Sequence, residues 1–258
     1  MIEKLKKENV AIIYISHRLK EIMEIGDTLS VLRDGILVKT LPVAEVTENQ
    51  MVTMMVGREM KQYYYKPKGY KNKEVVLQVS HLTRKGEFED VSFQLYKGEI
   101  LGVAGLIGAG RTEVMRTVFG AEKPDSGECQ LFGKVYHAKT PKDVIRRGVG
   151  LIPEDRRQQG LLLEKNVKEN ASLASILKRA RKGFIDFQWE KNAALEYIKK
   201  MSIKTPSEKE VVKNLSGGNQ QKVVIAKWLL AEAKILIMDE PTRGIDVNAK
   251  SEPLPAAW

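Results

Sequence analysis

Apolar positions along this chain change period several times, and each change marks an element. Residues 2–9 read as the end of a helix with no N-cap or start signal. Residues 10–15, Val-Ala-Ile-Ile-Tyr-Ile, form a continuous run rich in β-branched side chains, the pattern of a strand buried on both faces. A helix at about 18–24, strands at 29–32 and 36–41 around Asp34-Gly35, and a helix at 47–55 complete an opening piece. Farther on, residues 75–79 and 91–95 predict strands. The apolar run 100–104 predicts another, leading into a glycine-rich turn and an amphipathic helix at about 112–119. A short strand at 149–152 and a mainly helical stretch at 167–201 follow. A glycine pair after Leu215 then opens a helix to about residue 231, and a buried strand at 235–238 ends at two carboxylates. Strands alternating with helices predict an α/β fold with a parallel, doubly wound sheet and a helical insertion.

Composition narrows the class. The 258 residues are 43% apolar and 29% charged, enough for one large core or two modest ones, which excludes disorder and fibrous repeats. A single cysteine, Cys129, excludes an internal disulfide and a cysteine-rich zinc cluster; with no signal peptide visible, a reducing cytosol is expected. No apolar run reaches membrane-spanning length. The net charge of +10 favours polyanions as partners: nucleic acid, anionic lipid or nucleotide phosphates. Residues 58–73 concentrate it, with six basic residues against one Glu, interleaved with Tyr63, Tyr64, Tyr65 and Tyr70. Pro67 and Gly69 favour a solvated linker there over a surface that stacks single-stranded nucleic acid.

The chemistry begins at Gly105-Leu-Ile-Gly108-Ala109-Gly110-Arg111-Thr112, between a predicted buried strand and a helix. Glycines in that context let backbone N–H groups curl around phosphates at the positive end of a helix, and a hydroxyl at position 112 can ligate Mg²⁺. The pattern of such a phosphate loop calls for lysine at position 111, where this chain has arginine, a wider planar fork in place of a point charge. The strand at 235–238 feeds Asp239, Glu240 and Pro241. A carboxylate at a strand's end can hold Mg²⁺, usually through water, and the next can polarise an attacking water in phosphoryl transfer. In Leu215-Ser216-Gly217-Gly218-Asn219-Gln220-Gln221-Lys222, Ser216 is placed to cap a helix while the glycines expose its first N–H groups.

Together these motifs resemble the ATP-binding cassettes of transporters: a Walker A loop, the signature at 215–222, a Walker B acid pair and, at Gly244-Ile-Asp246, a D-loop. The segments Gly110-Arg111-Thr112-Glu113, Ile152-Pro-Glu154-Asp-Arg156 and Asn166-Val-Lys-Glu-Asn170, with that signature, are similar to the bacterial monosaccharide importer ATPases of the ribose, galactose and xylose type. These carry two cassettes in one polypeptide. Arg111 in place of lysine and Glu154 in place of the Q-loop glutamine resemble the second cassette of that family. No aromatic stands near residues 82–84, where an adenine-stacking side chain would be expected. Ser16-His17-Arg18, followed by Leu32-Arg33-Asp34-Gly35, looks like the switch histidine and closing segment of the first cassette; His81 and His137 lack such surroundings and read as structural.

The resemblance implies a layout: residues 1–57 as the C-terminal piece of a first cassette, 58–73 as a basic linker, 74–250 as a second cassette lacking its last part, and 251–258 as a tail outside the family pattern. On that reading the chain is a truncated or frameshifted product. The strand at 10–15 would then fill the place of the missing switch strand beside 100–104 and 235–238, completing a P-loop NTPase sheet in permuted order. The resemblance further implies ATP and Mg²⁺ as cofactors. The nucleotide would be held by Gly105, Gly108, Ala109, Gly110, Arg111, Thr112, Glu113 and Glu154, and by Ser216, Gly217, Gly218 and Asn219 toward a complementary cassette. Thr112 and Asp239 would hold the metal, and Glu240 and His17 would be catalytic. It implies a place at the cytoplasmic face of the cell membrane, with sugar permease subunits as partners and, indirectly, a periplasmic sugar-binding protein. No nucleic acid is expected. The cut chain is expected to hydrolyse ATP slowly or not at all. The alternatives are a non-transport cassette acting on nucleic acid or ribosomes, and a regulatory cassette that binds without cleaving.

Overall fold

The computed structural model describes residues 2–8, 10–16, 19–33, 35–56, 73–106, 108–137, 140–180 and 184–241. His17, most of the basic linker, the D-loop-like segment and the tail lie outside them. The chain divides into two compact units, one within residues 1–65 and one within 66–243.

In the first unit, helices α1 (Ile2–Lys7), α2 (Leu19–Ile25) and α3 (Glu48–Val56) accompany an antiparallel hairpin of β1 (Thr28–Arg33) and β2 (Ile36–Pro42). Leu29 and Val31 point inward at alternate positions and join Leu19, Val43, Val46 and Met51 in a small core. Thr47 and Gln50 start α3 reciprocally: the Gln50 N–H donates to Thr47 Oγ1 (3.3 Å) and the Thr47 N–H to Gln50 Oε1 (2.9 Å). Residues 10–15, expected to be a buried strand, form no ladder with any described strand, and Ile13 and Ile15 are each 93% exposed. Among the described residues, then, the segment is not a strand, contrary to its expected reading. A run of apolar residues sets what a strand can bury, whereas its ladders need neighbours in register on both sides.

The second unit holds the larger core. Strands β3 (Val75–Arg84), β4 (Phe88–Tyr96), β5 (Ser126–Leu131) and β6 (Lys134–Tyr136) make an antiparallel sheet in the order β4-β3-β5-β6, with Val79 opposite Phe93 on one side and Cys129 on the other. β7 (Val149–Ile152) and β8 (Ile235–Met238) pair in parallel, Ile152 opposite Met238. The predicted strand at 100–104 forms no ladder; Ile100 is 84% exposed. Among the described residues, the strand paired with β8 is β7, so the parallel part of the fold is two strands wide. The helices are α4 (Arg111–Val118), α5 (Pro141–Arg146), α6 (Val167–Ser172), α7 (Ile176–Arg179), α8 (Phe187–Lys200) and α9 (Gly217–Leu230). α9 is the spine: Val223, Val224 and Ala226 are fully buried, and its Trp228 ring lies so close to β7 that a Cβ on Gly150 would come within 2.7 Å of it.

The helical stretch after residue 167 is divided by its own capping residues. Asn166 accepts from the Glu169 N–H (2.8 Å) while Glu169 accepts from the Asn166 N–H (3.0 Å), and Asp186 accepts from the Trp189 N–H (2.9 Å) to start α8. The Asn166 N–H is also the main reason the Glu169 carboxyl is held below the usual glutamate range. Asn166→Ala is expected to cost about 1 kcal/mol in urea unfolding near neutral pH. The part carried by the ionised Glu169 is present above the ordinary glutamate pKa and is lost as pH falls through the lowered one. Because alanine keeps the backbone N–H that holds Glu169, that loss is common to parent and variant, and the gap between them, set by the lost Asn166 Oδ1 acceptor, stays the same in acid.

Candidate functional site

The glycine segment takes the shape that its composition calls for. Gly108 (φ +82°) and Gly110 (φ +80°) are left-handed, and Gly110 is the N-cap of α4. A Cβ on Gly110 would lie 2.8 Å from the Glu87 carbonyl, so the turn between β3 and β4 packs against the loop where only glycine fits. The first N–H groups of α4, from Arg111, Thr112 and Glu113, have no carbonyl one turn earlier within the helix and face outward at its positive end.

Two polar contacts join this helix start to the end of β8. Thr112 Oγ1 donates to Asp239 Oδ2 at 2.7 Å, across 127 residues of chain. Arg111 Nη2 lies 3.8 Å from Glu240 Oε1, with both side chains partly exposed. Asp239 is fixed by its own N–H, which donates to the Ile152 carbonyl (2.9 Å), and Glu240 is left-handed (φ +40°), uncommon outside glycine. Because Ile152 and Met238 are paired in parallel strands, Glu154 and Glu240 each stand two residues beyond matched positions. The half-buried Glu154 and the acid pair therefore sit at the carboxyl ends of adjacent parallel strands, where α/β folds place their ligands. Residues 111, 112, 239 and 240, selected from separate motifs, thus meet in one place, with Glu154 at the same end of the sheet. Among the described residues no cluster of three or more His, Cys, Asp or Glu could hold a metal; what the site offers instead is one hydroxyl beside one carboxylate, both hard oxygen donors of the kind Mg²⁺ takes.

The signature segment starts α9. Ser216 has the extended N-cap conformation (φ −60°, ψ 156°), but its side chain makes no capping bond, contrary to the sequence expectation. Its Oγ instead accepts from Asn219 Nδ2 (2.9 Å), and Asn219 Oδ1 accepts from the Lys204 N–H (2.8 Å). The amide of Asn219 occupies the hydroxyl, so the Ser216 side chain makes no capping bond to the first N–H groups of α9. Gly217 and Gly218 lie partly exposed there. No described hydrogen bond links Ser216, Gly217, Gly218 or Asn219 to the glycine loop. Elsewhere, His81 Nδ1 pairs with Asp90 Oδ1 (2.6 Å) at an exposed bulge in the β3–β4 ladder. No periodicity pointed to the ion-pair chain that braces the loop, in which Glu122 joins Arg84, beside the β3–β4 turn, to Arg116 of α4.

The profile of a family described as ABC transporter matches residues 88–243. The ribose import ATP-binding protein RbsA of Oceanobacillus iheyensis is 47% identical over 252 residues, covering 98% of this chain and 51% of that protein. The chain spans about half the length of the curated relatives it matches. Among solved structures, cbiO1 of Clostridium perfringens, part of the ABC transporter complex cbiONQ, superposes with a TM-score of 0.55 at 21% identity, over 69% of this chain and 70% of its own. The cassette MJ0796, as a post-hydrolysis dimer bound to ADP and Pi, superposes with a TM-score of 0.57 at 22% identity, over 68% of this chain and 78% of its own. At those identities the likeness speaks for the fold.

Proposed function

This chain belongs to the ABC transporter family, and from that premise we propose that it is the ATP-binding part of a bacterial importer that couples nucleotide binding and hydrolysis to monosaccharide uptake. The observation that carries the reading is the Thr112–Asp239 hydrogen bond, which brings the hydroxyl of the glycine loop to the first acid of the pair. Relatives named for ribose import support the substrate class.

In this reading the N–H groups at the start of α4 and the Arg111 guanidinium grip phosphate oxygens. Thr112 and Asp239 would hold Mg²⁺, which when bound supplies charge neutralisation at the phosphates. Glu240 orients the attacking water and accepts its proton, with Glu154 bordering the same site. Ser216, Gly217, Gly218 and Asn219 present the α9 N-terminus to nucleotide held by a complementary cassette. Residues 1–57 belong to a first cassette, with His17 as its switch residue; 58–73 tether it, 74–250 form the second cassette, and 251–258 follow as a tail. The assembly would sit at the cytoplasmic face of the membrane under sugar permease subunits, supplied by a periplasmic binding protein. Among the described residues no helix is long and apolar enough to cross a membrane.

A second reading, a cassette that binds without cleaving, is favoured by the Arg111–Glu240 pair, since the cation of the loop neutralises the acid that would activate water. Fluorescent ATP analogue titrations of the full chain should show affinity that depends on magnesium. Absence of any such affinity, alone or mixed with an intact cassette, would remove both readings. Steady-state hydrolysis by the full chain separates them: magnesium-dependent turnover supports the first reading, and magnesium-dependent binding without turnover supports the second.

A further inference from the structure

The segment after β7 is built in an uncommon way. Arg156–Gly160 makes one turn of π-helix, capped by Asp155 Oδ1, which accepts from the N–H groups of Arg157 (2.9 Å) and Gln158 (3.1 Å). Such turns are rare and concentrate at functional positions. Three side chains from one face of α9, at positions 220, 224 and 227, hold it down. Gln220, with no exposed surface, donates through Nε2 to the Val212 carbonyl (3.1 Å) and accepts from Arg157 Nε (3.5 Å). A Val224 methyl lies 3.4 Å from where a Cβ on Gly160 would sit. Lys227, 7% exposed, donates from Nζ to the Gly160 carbonyl at 2.7 Å, with the Trp228 ring centroid 4.9 Å away.

That lysine is difficult to explain by stability. Among the described residues no carboxylate faces it, and a buried ammonium without an anionic partner costs free energy that a methionine of similar length would not. What Lys227 does achieve is a direct link, across 67 residues, between α9 and the loop that carries Glu154. That loop leaves the sheet at Ile152, whose carbonyl accepts from the Asp239 N–H. At its other end it is tied to the helix that begins with the signature glycines. The 14 residues of α9 span about 21 Å as a stiff rod.

We infer that Lys227 is a positioning residue for Glu154: by holding the Gly160 carbonyl it fixes residues 153–160 to α9, so that Glu154 and the Ser216-Gly217-Gly218 start of the helix shift as one body. The inference rests on the reading of both groups as nucleotide contacts.

Hydrogen exchange of the full chain without nucleotide is the first test. In Lys227→Met, amides of residues 154–161 should exchange about tenfold faster, the value of one hydrogen bond from a charged donor, while β7 and β8 keep their parental rates. Lys227→Arg, which keeps a donor, should restore the parental pattern. Unchanged exchange in 154–161, or an equal rise through β7 and α9, would overturn the inference. Should the Met variant fail to fold, Lys227→Gln, whose shorter side chain leaves its amide out of reach of Gly160, carries the same comparison. The second test is a cycle on affinity for a fluorescent ATP analogue with magnesium. Lys227→Met should weaken binding about tenfold in the parent and have no further effect in a Glu154→Ala background; additive losses would overturn the link to Glu154. If the parent binds no nucleotide, the proposed function falls, and the exchange measurement still decides whether Lys227 holds the Glu154 segment.

Discussion

Asp239→Asn is expected to lower the affinity of the full chain for magnesium-loaded ATP analogue about 100-fold, while affinity measured with EDTA stays within about threefold of the parent. The variant is isosteric, and its amide oxygen can still accept from Thr112 Oγ1, so the 2.7 Å contact between the loop and β8 survives. What is lost is the negative charge beside the hydroxyl, and with it the site's main attraction for a divalent cation. Thr112→Val makes the complementary change, removing the oxygen while keeping the side-chain shape. It should reduce the magnesium-dependent part of the affinity in the same direction, and it also leaves Asp239 without its 2.7 Å donor. Fluorescence titrations with and without magnesium measure both. Magnesium-dependent binding by Asp239→Asn equal to the parent would separate the acid pair from the nucleotide and remove the main support for the proposed function.

The second large effect is on stability in alkali. Burial pushes the Lys227 ammonium down to about 8, from an ordinary value of 10.5. Below pH 8 the lysine is protonated in both folded and unfolded chains, and the folded state bears the full cost of burying the charge. Between pH 8 and 10.5 the unfolded chain binds more protons than the folded one, so stability rises with pH through that window and levels off above it. Relative to Lys227→Met, the parent should therefore gain about 3 kcal/mol between pH 7.5 and 10.5 in denaturant unfolding. Other groups also titrate in alkali, among them the buried Cys129 thiol, pushed up to about 11, and Tyr136, raised further; both are common to the two proteins and cancel in the difference. A gap between parent and variant that does not change over this range would mean that the lysine is solvated in the folded chain.

The parts of the site that were legible in the sequence are those whose chemistry is local. Gly108 and Gly110 had to be glycine because the turn is left-handed there, and that requirement is visible in the residue types themselves. The acid pair follows an apolar run because a strand must end before a carboxylate can reach solvent, and β8 ends at Met238 as the pattern predicts. The helix after Leu215 is equally local, whereas the caps Asn166 and Asp186 that divide residues 167–200 appeared only in the structure. Local rules failed at Ser216, where a suitable cap residue gave its hydroxyl to Asn219. They failed more broadly at residues 10–15 and 100–104, two apolar runs that read as buried strands and form no ladder. Strand pairing is a property of two segments together, and neither run carries the identity of its neighbour.

By itself, then, the amino-acid order determined which segments can cradle a phosphate, which acids end a strand and which family the motifs resemble, because each depends on residues within a few positions of one another. Only the tertiary structure decided that Thr112 meets Asp239, that Arg111 faces Glu240, and that Lys227 reaches the carbonyl beyond Glu154. Those contacts join residues 67 to 129 positions apart, and the packing of α4 and α9 against β7 and β8 selects them, a collective result that no short window of sequence contains.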